Sequence, residues 1–110
     1  MASTPIRLAT GQLANTSAAL YTSTNLKTQI IAATLANPTA GALTYSFWIV
    51  PSADTAADDT IIYDAVSIAA GETVALSDLI GHMLNAGDSI HGAASSATSL
   101  TYHLSGTQIT

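Results

Sequence analysis

Residues 43–50, LTYSFWIV, decide the fold class of this chain, because β-branched and aromatic residues dominate them and both faces of an extended strand carry bulk. Phe47 falls on one face of such a strand, and Trp48 falls on the other together with Val50. We therefore expect this strand to lie inside a sheet rather than at its edge. Pro51 follows, and since proline cannot donate to a strand ladder, the strand is predicted to end there.

Apolar side chains also recur at every second residue, as in a β-strand, on both sides of this segment. Residues 27–36, KTQIIAATLA, predict a second strand, and the intervening NPTAG at 37–41 predicts a hairpin-like connection, because proline fixes φ and glycine permits positive φ. Further short strands are predicted at 60–63, 65–68, 73–76, 88–93 and 99–104. Short strands with frequent turn signals predict an all-β fold, a compact antiparallel β-sandwich that is jelly-roll-like.

One segment departs from this period. Between Leu76 and Leu84, apolar residues recur at i, i+3, i+4, i+7 and i+8, which is the spacing of a helix. Ser77 could cap such a helix, but Gly81 inside it costs about 1 kcal/mol relative to alanine. We predict at most one short helical turn near residues 77–84. The alternative is a loop whose leucines close one end of the sandwich.

The chain of 110 residues is predicted to hold one folded domain, because two halves of this length would be too small to bury a useful core. Residues 15–110 are assigned to a single β-sandwich domain. Residues 1–14 form either an N-terminal arm or a first strand, since their periodicity is weak. Their apolar side chains Ile6, Leu8 and Leu13 are candidate assembly contacts, because such an arm can pair with a neighbouring subunit.

Charge is scarce in this sequence. Asp, Glu, Lys and Arg make up 8% of the residues, against about 25% in an average domain, and the net charge is −5. The two cations, Arg7 and Lys27, are too few to neutralise the phosphates of a nucleic acid, so we expect no direct nucleic-acid binding and no binding to an anionic membrane. A surface with so few charges is expected to face other protein.

The sequence contains no cysteine, which excludes disulfides and thiolate chemistry. The first residues lack the apolar region of a cleaved signal, and the longest strongly apolar run, 47–50, is far shorter than the roughly 20 residues that span a bilayer. We therefore expect a product made in the cytoplasm without a signal peptide and without a membrane segment.

No catalytic residues, metal ligands or cofactor site are predicted. The imidazoles lack a second ligand at the spacing of a zinc site, and the acidic loop at 52–60 lacks the alternating ligands of a calcium loop. The imidazoles are those of His82, His91 and His103, and the carboxylates of the loop are Asp54, Asp58 and Asp59. The large aromatics are predicted to lie in the core, although exposed ones could stack on sugars. They are Trp48, Tyr21, Tyr45, Tyr63 and Tyr102.

Two segments carry a resemblance to a known group of proteins. SIAAGETV at 67–74 and LNAGDSI at 84–90 resemble the paired glycine–acid turns of small β-sandwich virion proteins of tailed bacteriophages. The turn NPT at 37–39 and the closing LSGTQI at 104–109 are similar to that group as well. The resemblance covers about residues 20–109 and consists of turn residues.

This resemblance implies a structural role without enzyme activity, in a homotrimer or another symmetric oligomer. We expect a capsid decoration (cement) protein, located in the virion, that bridges neighbouring subunits of the major capsid protein and stabilises the head. The alternative is a tail or fibre module that binds a host glycan or another tail protein. A small hydrolase is a third hypothesis, which the absence of a G-x-S-x-G motif disfavours.

Overall fold

Nine β-strands form the regular structure of residues 3–24, 27–97 and 99–109, which are the residues that the computed structural model describes. No helix occurs in these ranges, so the all-β prediction is confirmed. The strands are β1 (Ser3–Gln12), β2 (Ala18–Thr22), β3 (Lys27–Ala36), β4 (Leu43–Val50), β5 (Ile61–Ile68), β6 (Thr73–Ala75), β7 (Met83–Leu84), β8 (Ser89–Ala94) and β9 (Thr101–Ile109).

The strands form two antiparallel sheets. The five-stranded sheet has the order β1–β9–β3–β6, with β7 also paired to β3, and the four-stranded sheet has the order β2–β8–β4–β5. The pairs β1–β9, β2–β8, β3 with β6 and β7, and β4–β5 are nested along the chain, as in a long hairpin rolled into two layers. The predicted β-sandwich, jelly-roll-like in its strand order, is therefore confirmed.

Strands β3 and β4 have the bounds that the sequence predicts, and β4 lies inside the four-stranded sheet between β8 and β5. The predicted hairpin-like connection between them is wrong, because β3 and β4 belong to different sheets. The buried Asn37 side chain holds the turn through which the chain passes from one sheet to the other. Its Nδ2 donates to Gly41 O at 2.9 Å and to Ile68 O at 3.1 Å, which attaches the turn to the end of β5.

Residues 77–81 form successive turns between β6 and β7 at the edge of the five-stranded sheet, and they do not form a helix. Backbone bonds to β3 hold the segment in place, since the N–H of Leu76 donates to Ala33 O and the N–H of Gly81 donates to Ile30 O. The inward-facing leucines, all fully buried, are Leu76, Leu79 and Leu84. The alternative of a loop whose leucines pack into the sandwich therefore describes this segment.

The N-terminal segment forms β1, so the structure has the first strand and not the free arm. Strand β1 pairs with β9 from Ser3, opposite Ile109, to Gln12, opposite Thr101. It is an edge strand of the five-stranded sheet, and it belongs to the same sandwich as residues 15–109. Met1 and Ala2, which also belong to the predicted segment, lie outside the described residues.

The space between the sheets holds aliphatic side chains and a group of three aromatic rings. Tyr45, Phe47 and Tyr63 meet edge to face, with ring centroids 5.6 to 6.3 Å apart. The hydroxyl of Tyr63 accepts a hydrogen bond from the N–H of Asp78 at 3.0 Å. This bond connects β5 of one sheet to the turns beside β6 and β7 of the other, and so closes one side of the sandwich.

A chain of hydroxyl and amide groups lies in the interior near the start of β3. The Thr28 Oγ1 is 3.0 Å from Ser23 Oγ and 3.2 Å from Tyr21 Oη, and Gln108 Nε2 donates to the same Tyr21 hydroxyl at 3.3 Å. Ser23 and Thr28 are fully buried. Because these polar groups bond to one another, they can be buried without a large free-energy cost.

Candidate functional site

The outer face of the five-stranded sheet is formed by alternate residues of β1, β9 and β3, by the exposed residues of β6 and by one residue of β7. The register places Pro5, Thr107, Gln29 and Met83 in one row across these four strands. The face also includes Arg7, Thr10, Lys27, Ile31, Ala32, Thr34, His103 and Ser105. Most of these side chains are hydroxyl-bearing, amide or apolar. We refer to this surface as the acid-free face.

The acidic residues are absent from the strands beneath this face. All seven lie in the four-stranded sheet or in connections between strands, at Asp54, Asp58, Asp59, Asp64, Glu72, Asp78 and Asp88. Glu72 and Asp78 lie in the connections on either side of β6, at the edge of the five-stranded sheet. Both cations lie in the five-stranded sheet, Arg7 in β1 and Lys27 in β3. Sequence reasoning missed this segregation, because Arg7 and Lys27 belong to strands that are separated along the chain and meet only through β9.

The acid-free face also carries exposed apolar side chains. In the part of the chain that the structure describes, four large hydrophobic side chains are strongly exposed, and three of them lie on or beside this face. Ile31 is 50% exposed and Met83 is 43% exposed on the face, and Ile80 is 41% exposed in the turns at its edge. The fourth, Val66, lies in the four-stranded sheet.

An open depression of about 470 Å³ lies in this face, where two β-bulges flank β9. It is lined by Pro5, Ile6, Arg7, Ile31, Ser105, Gly106 and Thr107. The bulge in β1 falls between Arg7 and Ala9, and the bulge in β3 falls at Ile31, which is the unpaired extra residue. A bulge redirects the extra side chain, and here it places Ile31 on the surface.

The close approach of the strands at this point depends on Gly106. A Cβ atom at this position would come within 2.4 Å of Gln29 O and 3.0 Å of Leu8 Cδ1. A contact of 2.4 Å with a backbone oxygen is too short for any side chain, so a glycine is required here. The missing side chain allows β3 and the Leu8 side chain to close in on β9.

The three predicted assembly contacts occupy different environments. Leu13 is fully buried and Leu8 is 9% exposed, and both belong to the core of this chain. Ile6 is half-buried, packs against the core and also lines the depression. Ile6 is therefore the one member of the set that borders the acid-free face. Contact of these residues with a partner stays a prediction.

The acidic loop between β4 and β5 lies exposed at one end of the sandwich. It carries Asp54, Asp58 and Asp59, and Asp88 joins it to the β7–β8 connection. The Asp88 Oδ1 accepts from the N–H of Ser52 and its Oδ2 accepts from the N–H of Asn85, each at 2.9 Å. We refer to these four acids as the acidic end. Across the described ranges, no group of three or more His, Cys, Asp or Glu residues could hold a metal ion.

Two histidines form hydrogen bonds with hydroxyl groups. His91 Nε2 is 3.0 Å from Ser89 Oγ, which is the separation of a nucleophile and its base. However, Ser89 is only 8% exposed, and His91 Nδ1 has no hydrogen-bond partner among the described residues. The pair thus lacks the carboxylate that orients the imidazole of a catalytic triad. The other pair, His103 Nδ1 and Thr10 Oγ1 at 3.0 Å, is exposed on the acid-free face.

Burial alters the titration of two side chains. It lowers the pKa of His91, because the charged imidazolium loses its hydration. Burial raises the pKa of Tyr45, and the negative charges of Tyr63, Glu72 and Asp78 add to this effect. Tyr45 packs in the core, so its raised pKa reflects its environment and not a role in chemistry.

The aromatic residues are mostly internal, as predicted. Tyr45 and Tyr102 are buried, whereas Tyr21 and Tyr63 are half-buried with hydrogen-bonded hydroxyls. Trp48 is half-buried on the outer side of the four-stranded sheet, opposite His91 of β8. Trp48 is therefore the aromatic side chain best placed to stack on a sugar.

No protein-family model matches this chain, and neither curated proteins nor solved structures provide a significant match. Within residues 3–24, 27–97 and 99–109, there is no helix of the length and apolarity needed to cross a bilayer. The surfaces described above are therefore the basis for a functional proposal.

Proposed function

We propose that this chain is a non-enzymatic structural protein of a tailed-phage virion, a decoration (cement) protein that bridges neighbouring subunits of the major capsid protein. It forms a homotrimer, and it stabilises the head by burying apolar and hydroxyl-bearing surface rather than by forming many ion pairs. The supporting observation is the acid-free face, which offers a whole sheet surface with exposed Ile31 and Met83 and few charges.

The size of this face approaches that of a standard interface. Three strands of about nine residues, about 4.8 Å apart and rising about 3.4 Å per residue, together with the five residues of β6 and β7, give a face of roughly 500 Å². A standard interface buries about 600–1,000 Å² on each partner. The exposed apolar side chains of Ile31 and Met83 within this face favour a binding partner there.

The scarcity of ionisable groups supports a role without catalysis. General acid–base and nucleophilic catalysis require positioned titratable groups with partners that tune them. The Ser89–His91 pair lacks an orienting carboxylate, and the acidic end is exposed and assembles no metal ligands from the described part of the chain. These observations favour an assembly protein over the small hydrolase.

The first test is the molecular mass in solution, measured by sedimentation equilibrium at tens of micromolar protein in about 0.15 M and about 1 M salt. We expect a trimer at both salt concentrations, because an interface of apolar and hydroxyl groups is weakly screened. A stable monomer, or a trimer that dissociates in high salt, would contradict the proposal.

The second test is the location of the chain in assembled particles, determined by electron cryomicroscopy. We expect density for the protein on the outside of the head, in contact with the major capsid protein. Density at the tail would favour the fibre module instead. In that case, a glycan-binding screen with Trp48→Ala as the control would show whether the half-buried indole stacks on a sugar.

A further inference from the structure

We infer that the acid-free face is the docking surface for a second copy of this chain, and that the second copy presents its acidic end. This inference rests on the proposed homo-oligomer and names the two surfaces that meet in it. The contact is head-to-tail, because the two surfaces are different parts of the same molecule.

The charge distribution selects this pairing. The acid-free face carries Arg7 at its surface and Lys27 at one end of β3, and none of the chain's seven acids lies in its strands. A second copy that presented the same face would bring cations but no strand carboxylate to the cations of the first. A copy that presents its acidic end instead brings carboxylates to those cations. Electrostatic complementarity of this kind determines which surfaces meet more than how tightly they bind.

The acidic end is accessible for such a contact. Its three loop carboxylates, Asp54, Asp58 and Asp59, are exposed. Asp88 uses both carboxylate oxygens to hold the β4–β5 and β7–β8 connections together, so the loop that presents the other three is fixed at its base. A loop held in this way loses less conformational entropy on docking than a free loop would.

The apolar groups of the face supply the affinity. Ile31 and Met83 are about half exposed; Met83 ends the row that contains Gln29 and Thr107, and Ile31 lies beside that row. Covering them removes apolar surface from water, which stabilises the contact at any salt concentration. The head-to-tail trimer is therefore expected to persist in high salt, although its association should become slower.

A head-to-tail contact also agrees with a closed trimer. Contacts between two different surface patches generate rings when the rotation closes, and a three-fold ring leaves neither patch free. A two-fold contact through identical patches cannot produce a trimer. The existence of two complementary surfaces on one chain is thus what a homotrimer requires.

The test compares two glutamate variants in sedimentation equilibrium. Ile31→Glu places a carboxylate on the acid-free face, and Val66→Glu is the matched control at an exposed hydrophobic position of β5. Val66 pairs with Tyr45, away from the acidic loop that precedes Ile61. We expect Ile31→Glu to weaken the trimer by on the order of 100-fold or more, because like charges then meet. Val66→Glu should remain a trimer, and Ile31→Lys should be less disruptive than Ile31→Glu.

Mixing two variants tests the head-to-tail arrangement. Ile31→Glu retains an intact acidic end, and a chain with Asp58→Lys and Asp59→Lys retains an intact face. Each should be monomeric alone, and an equimolar mixture should form a dimer through the one intact pair of surfaces. Thr107→Glu, in the adjacent row, must behave as Ile31→Glu does, and circular dichroism confirms that each variant is folded.

The outcomes separate this inference from the proposed function. If the wild type is a monomer, the proposed homo-oligomer fails and the inference fails with it. If the wild type is a trimer and Ile31→Glu and Thr107→Glu are also trimers, the oligomer stands and the docking surface is wrong. If the face variants are monomers but the mixture forms no dimer, the acidic end is not the surface that docks.

Discussion

The Asn37→Ala substitution removes the one buried amide that joins the β3–β4 turn to the end of β5. Besides its two bonds to carbonyl groups, the side chain accepts at Oδ1 from the N–H of Thr39 at 3.1 Å and from its hydroxyl at 2.6 Å. Asn37 is 1% exposed. The Nδ2 group and the Oδ1 atom of Asn37 are therefore hydrogen-bonded, and alanine would leave their partners without these bonds.

The expected loss follows from these four hydrogen bonds. Each contributes about 0.5–1.5 kcal/mol net, and the bond to Ile68 O is buried, whereas Thr39 and Gly41 are near enough to the surface to bond to water instead. We expect Asn37→Ala to lower the free energy of unfolding by about 2–4 kcal/mol. For a domain of this size, the melting temperature should fall by roughly 10–25 °C.

Equilibrium unfolding in urea, followed by circular dichroism, measures this loss. Asn15→Ala, at an exposed asparagine, is the matched control and should change stability by less than about 0.5 kcal/mol. Asn37→Asp keeps the acceptor for Thr39 but directs a carboxylate oxygen at Ile68 O, so it should be at least as destabilising at neutral pH. A loss below about 1 kcal/mol for Asn37→Ala, or an Asn37→Asp variant as stable as the wild type, would refute this reasoning.

Two further predictions concern a glycine and a histidine. Gly106→Ala should destabilise the domain by about 3 kcal/mol or more, because its Cβ would lie 2.4 Å from Gln29 O. Gly41→Ala, with nothing within 4 Å of its Cβ, is the control, and calorimetry should find it nearly neutral. Burial lowers the pKa of His91 below the value of 6.5 for a free imidazole. As the pH falls below 6.5, the unfolded chain therefore takes up the proton before the folded chain does, and the free energy of unfolding should decrease. His91→Gln should flatten this dependence in urea titrations at several pH values; an unchanged slope would exclude His91 as its cause.

The strands with dense β-branched and aromatic residues could be predicted from the sequence. β3 and β4 have the predicted bounds, since both have a clear period of two and Pro51 stops the second. The segments predicted at 60–63 and 65–68 are a single strand, β5. Ala65 has a φ of 49° there, and its N–H donates to Ser46 Oγ at 2.9 Å, so a bulge accounts for the apparent break.

Other elements depend on contacts that the sequence does not reveal. The strand β2 was not predicted, because its residues AALYT show no distinct alternation and become a strand by pairing with β8. The leucines of 76–84 have helical spacing, but successive turns satisfy that spacing while the backbone stays bonded to β3. The direction of the β3–β4 connection was missed because it depends on Asn37 and Ile68, which are 31 residues apart.

The acid-free face was beyond prediction for a related reason. The composition shows that charge is scarce, which supports an expectation of buried surface, but it does not show where that surface lies. The location follows from the jelly-roll order, in which β9 comes between β1 and β3 and brings the two cation-bearing strands into one sheet. The scarcity of charge is thus a property of the sequence, and its segregation is a property of the fold.

The bulge at Ile31 connects the packing of the sheet to the docking that we infer. Gly106 lets β3 approach β9 closely, and the extra residue of the bulge is then directed outward, where it contributes nothing to the core. Threonine has the same β-branched preference for extended backbone without the apolar surface. Half of the Ile31 side chain is covered within the single chain, and the other half leaves apolar surface in water. In the docking that we infer, a second copy covers the exposed half of this side chain, which adds the free energy of burying that apolar surface.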